Sequence, residues 1–87
     1  MKENEQVVIY TSSLCGFCYK AKTLLKKYNI DFNEVNIDID YNKREEMVAK
    51  ANGKTSVPQI FIGSKHIGGC DDLYELEREN KLEIFNN

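Results

Sequence analysis

Along the chain the period of the apolar positions changes several times. Val7, Val8, Ile9 and Tyr10 form an unbroken apolar run, the pattern of a strand covered on both faces. From about Gly16 to Tyr28 the spacing lengthens. Ala21, Leu24, Leu25 and Tyr28 recur at helical intervals, Lys20, Lys22, Lys26 and Lys27 fill other positions, and Asn29 is the expected stop. Phe32 to Ile37 alternates and predicts a second strand. Asp38 to Asn42 supplies caps for a helix near Lys43 to Ala51, with Met47, Val48 and Ala51 inward and Asn52-Gly53 closing it. Val57 to Ile62 reads as a third strand. Gly63-Ser64, with glycine first, suits a type II′ hairpin into Lys65-His66-Ile67. Gly68-Gly69 breaks the chain, and Asp71 or Asp72 starts a last helix carrying Leu73, Leu76 and Leu82.

The order is therefore β-α-β-α-β-β-α, an α/β fold. A right-handed crossover pairs the first strands in parallel, and the hairpin adds an antiparallel edge. The expected architecture is a four-stranded mixed sheet with helices on both faces, in one domain spanning residues 1–87.

Composition narrows the partners. The hydrophobic share is 41% and the net charge −2, with the twelve Lys and Arg scattered or paired with acids. Such a distribution lacks the concentrated basic face that nucleic acid or an anionic membrane requires. The start, MKENEQVVIY, has no apolar signal core, and no window approaches the ~20 apolar residues of a membrane span. The expected setting is cytoplasmic and reducing, where a close cysteine pair reads as catalytic or metal-binding and not as a disulfide scaffold.

The pair is Cys15 and Cys18, in SLCGFCYKA. Strand, turn, Cys15 and helix place Cys15 at a helix N-terminus, where unpaired N–H groups and the dipole stabilise a thiolate. Cys18 lies about one turn deeper on the same face, within reach of an internal disulfide. Acidifying Cys15 raises its thiolate fraction and lowers the nucleophilicity of each thiolate by nearly compensating factors. The larger gain is as a leaving group from a mixed disulfide. A zinc site built from Cys15, Cys18, His66 and Cys70 is the alternative chemistry, although its halves lie far apart in sequence. Tyr19 stands where a haem-attachment motif requires histidine.

CGFC after a strand, Ser56-Val57-Pro58, and IGGCDDL from Ile67 to Leu73 together resemble the glutaredoxins. The resemblance covers about Val7 to Leu82 and is strongest to the small bacterial dithiol members. C-x-x-C alone is a weak signal; three motifs in order on this element pattern are a specific one. Thioredoxins usually carry a tryptophan before the first cysteine, and this chain has none.

The resemblance implies a thioredoxin-like fold in a monomer. It implies reduction of protein disulfides and glutathione mixed disulfides, with Cys15 attacking, Cys18 resolving, glutathione as co-substrate and glutathione reductase coupled indirectly. Pro58 would follow a cis bond, leaving the Val57 N–H and C=O free to pair with the cysteinyl backbone of glutathione. Gly69 would allow close approach, and the N–H groups of Cys70 and Asp71 would face the γ-glutamyl carboxylate. Asp72 or Asp71 would take the ammonium, and Phe17 would lie beside the tripeptide.

Two departures from the family pattern matter. Ser12 stands where many members have lysine, so Arg44 or Lys54 becomes the candidate for the glycine carboxylate of glutathione. Gly16 stands where dithiol members usually have proline. Members with small residues there, the CGFS class among them, can bridge a [2Fe–2S] cluster between two subunits through the first cysteine and bound glutathione. By that resemblance Cys15 is a candidate cluster ligand in a homodimer. Cys18 stands where that class has serine, and its tryptophan-containing insertion is absent between Asn52 and Val57. Cys70 reads either as a half-buried small apolar residue or as a thiol partly activated by a helix start.

Overall fold

The computed structural model describes residues 6–85; residues 1–5, which include the charged start of the chain, and 86–87 lie outside the described residues. The elements are β1 (Val7–Thr11), α1 (Gly16–Lys27), β2 (Asn33–Asn36), α2 (Tyr41–Lys50), β3 (Gln59–Ile62), β4 (Lys65–Gly68) and α3 (Cys70–Arg78), followed by a 3-10 turn at Leu82–Phe85. The sheet order is β2-β1-β3-β4. β1 runs parallel to β2, with Val8 opposite Asn33, and antiparallel to β3, with Ile9 opposite Ile60. β4 returns antiparallel beside β3.

The unbroken apolar run of β1 has a cause on each face of the sheet. Val7 and Ile9 pack with Ala21, Leu24 and Leu25 of α1 and Leu73 of α3. Tyr10 packs on the opposite face with Met47 and Ala51, beneath α2, and Val8 lies against that cluster. This is a thioredoxin-like arrangement, with helices on both faces as expected.

Each α-helix ends in the same way. Asn29, Asn52 and Asn80 all have φ near +60° (59°, 58° and 59°), the left-handed conformation that asparagine tolerates better than most residues. In each case the next N–H reaches back five residues: Ile30 to the Leu25 carbonyl, Gly53 to Val48 and Lys81 to Leu76, at 2.8–2.9 Å. The stops expected at Asn29 and Asn52 are found; the one at Asn80 was not foreseen. It separates Leu82 from α3, so Leu82 reaches the core from the 3-10 turn together with Phe85.

Other boundaries shift for local reasons. β2 is shorter than Phe32 to Ile37, although the Ile37 N–H still donates to the Thr11 carbonyl at 2.8 Å. α2 begins at Tyr41, before the expected Lys43, because the Asp40 carboxylate caps the Asn42 N–H at 3.0 Å. β3 begins at Gln59 and not Val57: the Val57-Pro58 bond is cis, and Pro58 has no N–H to give the ladder. Gly63 carries the positive φ (58°) that the first position of the hairpin loop requires. α3 begins at Cys70 and not at Asp71 or Asp72.

Polar side chains tie the helices to the sheet. Glu34 on β2 accepts hydrogen bonds from the Thr11 hydroxyl at 2.7 Å and from Lys22 of α1 at 2.9 Å. On the other face the buried Tyr10 hydroxyl donates to Glu46 of α2 at 2.5 Å. Burial first, and then this carboxylate, push the tyrosine well above its ordinary pKa of 10.0.

Candidate active site

β1 ends at Thr11, and the chain turns through Ser12–Leu14 into α1. The turn is fastened to the segment after β2. The Ser13 N–H donates to the Asp38 carboxylate at 2.8 Å, and the Asn36 amide donates to the Ser13 hydroxyl at 3.3 Å. This fixes where Cys15 stands. Cys15 is extended (φ −143°, ψ 104°) and acts as the N-cap of α1: its Sγ accepts the Cys18 N–H at 3.1 Å. No acidic residue occupies the first turn, so no like charge opposes a negative sulfur there.

Cys15 and Cys18 are joined as a disulfide, with Cα atoms 5.2 Å apart. Their exposures differ. Cys18 is 2% exposed, while Cys15 reaches the surface between Leu14 and Phe17, which are 99% and 60% exposed. An incoming sulfur therefore meets Cys15 first, and Cys18 can act only from behind it. The pair is a redox couple with one accessible member.

Beside it runs a groove of about 280 Å³. Phe17, Val57, Pro58, Gly69, Cys70, Asp71 and Asp72 all line it, so these sequence candidates converge on one place. The Val57 carbonyl oxygen lies 3.9 Å from Cys15 Sγ, which puts the groove's backbone edge next to the reactive sulfur. Of the two basic candidates, Lys54 lines the groove and Arg44 does not. Arg44 lies on the exposed face of α2, whose buried side carries Met47.

The floor of the groove is the start of α3. Gly69 is its N-cap, and the Gly69 N–H donates to Asp72 Oδ2 at 2.9 Å. Gly68 has φ +126°, and a Cβ there would overlap the Asp72 carboxylate, its carbon only 2.6 Å away. Asp72 therefore spends one oxygen on the cap, while Asp71 stands exposed on the rim. The first N–H groups of α3 have no intrahelical acceptors. Lys54 and Asp71 give the groove charges of both signs.

Cys70 is free but 7% exposed, and burial first, then Asp71, raise its thiol above the ordinary range while Lys20 opposes. Of its two expected readings, the structure favours the apolar one over the activated one. His66 is turned to Gln59 and stacks on Phe61. Among the described residues no group of three or more His, Cys, Asp or Glu side chains is placed to hold a metal ion. Sequence reasoning missed two groove residues, Ser56 and Gln59. The one available signal was a polar residue opening a strand that is otherwise apolar.

Comparison with known proteins agrees with this geometry. The sequence model of the family described as Glutaredoxin matches residues 7–67. A probable glutaredoxin of Synechocystis sp. is 51% identical over 83 residues, covering 95% of this chain and 94% of that protein. The solution structure of glutaredoxin from Brucella melitensis superimposes with a TM-score of 0.80 at 44% identity, covering 94% of this chain and 89% of that one. A buckwheat glutaredoxin–glutathione complex gives a TM-score of 0.82 at 30% identity, covering 93% and 76%.

Proposed function

This chain belongs to the glutaredoxin family, whose members are thiol–disulfide oxidoreductases, and from that premise we propose that it reduces glutathione mixed disulfides and protein disulfides with glutathione as the electron donor. The observation that carries the reading is the placement of Cys15: half-buried but open to the surface, its Sγ accepting the Cys18 N–H at 3.1 Å and lying 3.9 Å from the Val57 carbonyl at the mouth of the groove.

In the one-cysteine route the Cys15 thiolate attacks the glutathionyl sulfur of a mixed disulfide. The S–S bond breaks, the substrate leaves as a thiolate that takes a proton from water, and Cys15 holds the glutathionyl group. A second glutathione thiolate attacks that sulfur, glutathione disulfide leaves, and Cys15 departs as the thiolate that Cys18's N–H stabilises. Glutathione reductase would then recycle the disulfide. In the two-cysteine route Cys15 forms a mixed disulfide with a protein substrate. Cys18, its proton passing to the departing thiolate, attacks Cys15 to give the disulfide seen here. Two glutathione molecules reduce it.

The groove's charges support a tripeptide with one ammonium and two carboxylates. Val57 would pair with its central backbone and Phe17 would cover its flank. The α3 N-terminus would hold the γ-glutamyl carboxylate, and Asp71 the ammonium, since Asp72 is engaged in the cap. Lys54, not Arg44, would take the glycine carboxylate. The working form would be a monomer in the cytoplasm; no helix among the described residues is long and apolar enough to cross a membrane.

A second reading, a [2Fe–2S] cluster shared by two chains, is motivated by Gly16. A Cβ there would meet nothing within 4 Å, so local packing does not force a glycine. Each chain would supply one half-buried thiolate, Cys15, and glutathione would have to supply the rest. A coloured dimer after anaerobic reconstitution with glutathione would support it, and a colourless monomer would count against it.

The main reading is tested by glutathione-dependent reduction of a small mixed disulfide. Cys15→Ser abolishes turnover. Cys18→Ser keeps deglutathionylation and loses direct reduction of protein disulfides. Full activity in Cys15→Ser overturns the assignment.

A further inference from the structure

Gln59 is 2% exposed, yet it opens β3 directly behind the groove's backbone edge. Its Nε2 donates to the Ser56 carbonyl at 3.1 Å and lies 3.3 Å from the Ser56 hydroxyl. Its Oε1 lies 2.6 Å from His66 Nε2. A carbonyl can only accept, so the amide nitrogen must face Ser56. Oε1 then faces His66, and His66 must carry a proton on Nε2. The imidazole is itself stacked on the buried Phe61, with ring centroids 4.9 Å apart.

We propose that Gln59 is a positioning residue for the glutathione site: with His66 it latches Ser56 to the core and holds Val57 in register for the ligand. Residues Lys54–Ser56 are exposed and belong to neither a helix nor a strand. The Gln59 amide is therefore the inward anchor of Ser56, the residue immediately before the Val57 backbone groups that face the groove. A pre-fixed edge spares a ligand the entropy of ordering it, which appears as affinity and not as chemistry. Cys15 is carried by α1 and takes no part in these bonds. The inference rests on the glutathione reading above and adds the device that keeps its backbone edge in place.

The test compares wild type, Gln59→Met and His66→Phe. Two quantities are measured: binding of S-methylglutathione to the reduced protein, followed at the Val57 amide by NMR, and kcat and KM for a glutathione mixed disulfide. Met fills the volume of Gln without its hydrogen bonds, and Phe preserves the stack on Phe61 while removing the donor to Oε1. Losing the net contribution of one or two hydrogen bonds predicts roughly tenfold weaker binding and a similar rise in KM for Gln59→Met, with kcat changed by about twofold or less. For His66→Phe the expected loss is about threefold, since Gln59 still reaches Ser56. Alkylation of Cys15 by iodoacetamide reads the thiolate alone and stays near the wild-type rate. A purely structural role would instead lower the melting temperature and leave the affinity of the folded protein unchanged. Unchanged affinity in folded Gln59→Met overturns the latch; if that variant does not fold, unchanged affinity in His66→Phe does so. Failure of the wild type to bind S-methylglutathione overturns the glutathione reading itself, and the latch with it.

Discussion

Cys15 Sγ accepts the Cys18 N–H at 3.1 Å, so the attacking atom is also the cap of the helix that carries its partner. One interaction serves both the stability of α1 and the stability of the thiolate, and substitutions can separate the two roles. Serine caps helices well and alanine does not. Under reducing conditions Cys15→Ser should therefore melt close to wild type, while Cys15→Ala should lose about 1 kcal/mol. Both should be inactive. A Cys15→Ala protein that melts with reduced wild type would show that the sulfur contributes nothing as a cap.

Gly16 is expected to accept proline. A Cβ there meets nothing within 4 Å, and Cys15 before it already has the extended backbone that proline imposes on its predecessor. Gly16 is also the first helical residue, where the missing N–H costs nothing within the helix. Gly16→Pro should stabilise the protein by about 0.4–1 kcal/mol, chiefly by restricting the unfolded chain. Urea unfolding of the two proteins in the same redox state measures this; a loss of stability would mean that the Gly16 backbone is not as open as it looks.

Gly68 should accept nothing else. Its φ of +126° is one that side chains rarely adopt, and a Cβ would overlap the Asp72 carboxylate. Gly68→Ala should cost about 1–3 kcal/mol. Part of that is the collision, so in a double-mutant cycle with Asp72→Ala the combined loss should fall short of the sum. Strict additivity would show that the backbone angle, and not the carboxylate, makes glycine necessary.

Acid should destabilise the protein through two carboxylates that hold helices to the sheet. The Thr11 hydroxyl, with Lys22 assisting against burial, keeps Glu34 below its ordinary value of 4.5. The Tyr10 hydroxyl does the same for Glu46, with Lys43 assisting against burial. Because the folded values lie below the unfolded ones, the unfolded chain takes up more protons as pH falls. The stabilisation is complete above the unfolded value and is lost as pH drops through the lowered folded values. Urea midpoints should fall between about pH 6 and about pH 3, and less steeply in Glu34→Gln and Glu46→Gln. An unchanged slope in both variants would assign acid sensitivity elsewhere.

Much of this fold can be read from local pattern. The unalternating β1 run announced a strand with a layer on each side, and Asn29 and Asn52 announced helix ends because few other residues adopt their backbone angle. The start of α3 was misplaced because Asp71 and Asp72 look like caps, whereas Gly69 is the cap and Asp72 reaches back to it. Leu82 was assigned to α3 because its spacing cannot reveal the break at Asn80. In the site, Cys15, Cys18 and the groove residues were legible as motifs. Gln59 was not, since its meaning depends on Ser56 and His66, which only the folded chain brings to it. The choice between Arg44 and Lys54 likewise depended on which face of α2 the core occupies.

The most direct test of the central claim is to trap the intermediate. Reduced Cys18→Ser is mixed briefly with glutathione disulfide at neutral pH, and the modified peptide is mapped by mass spectrometry. The unequal exposure of the cysteines, and the burial that raises the Cys70 thiol, predict one glutathione on Cys15, none on Cys70, and removal by added glutathione. An unmodified Cys15, or an adduct that forms first on Cys70, would contradict the account.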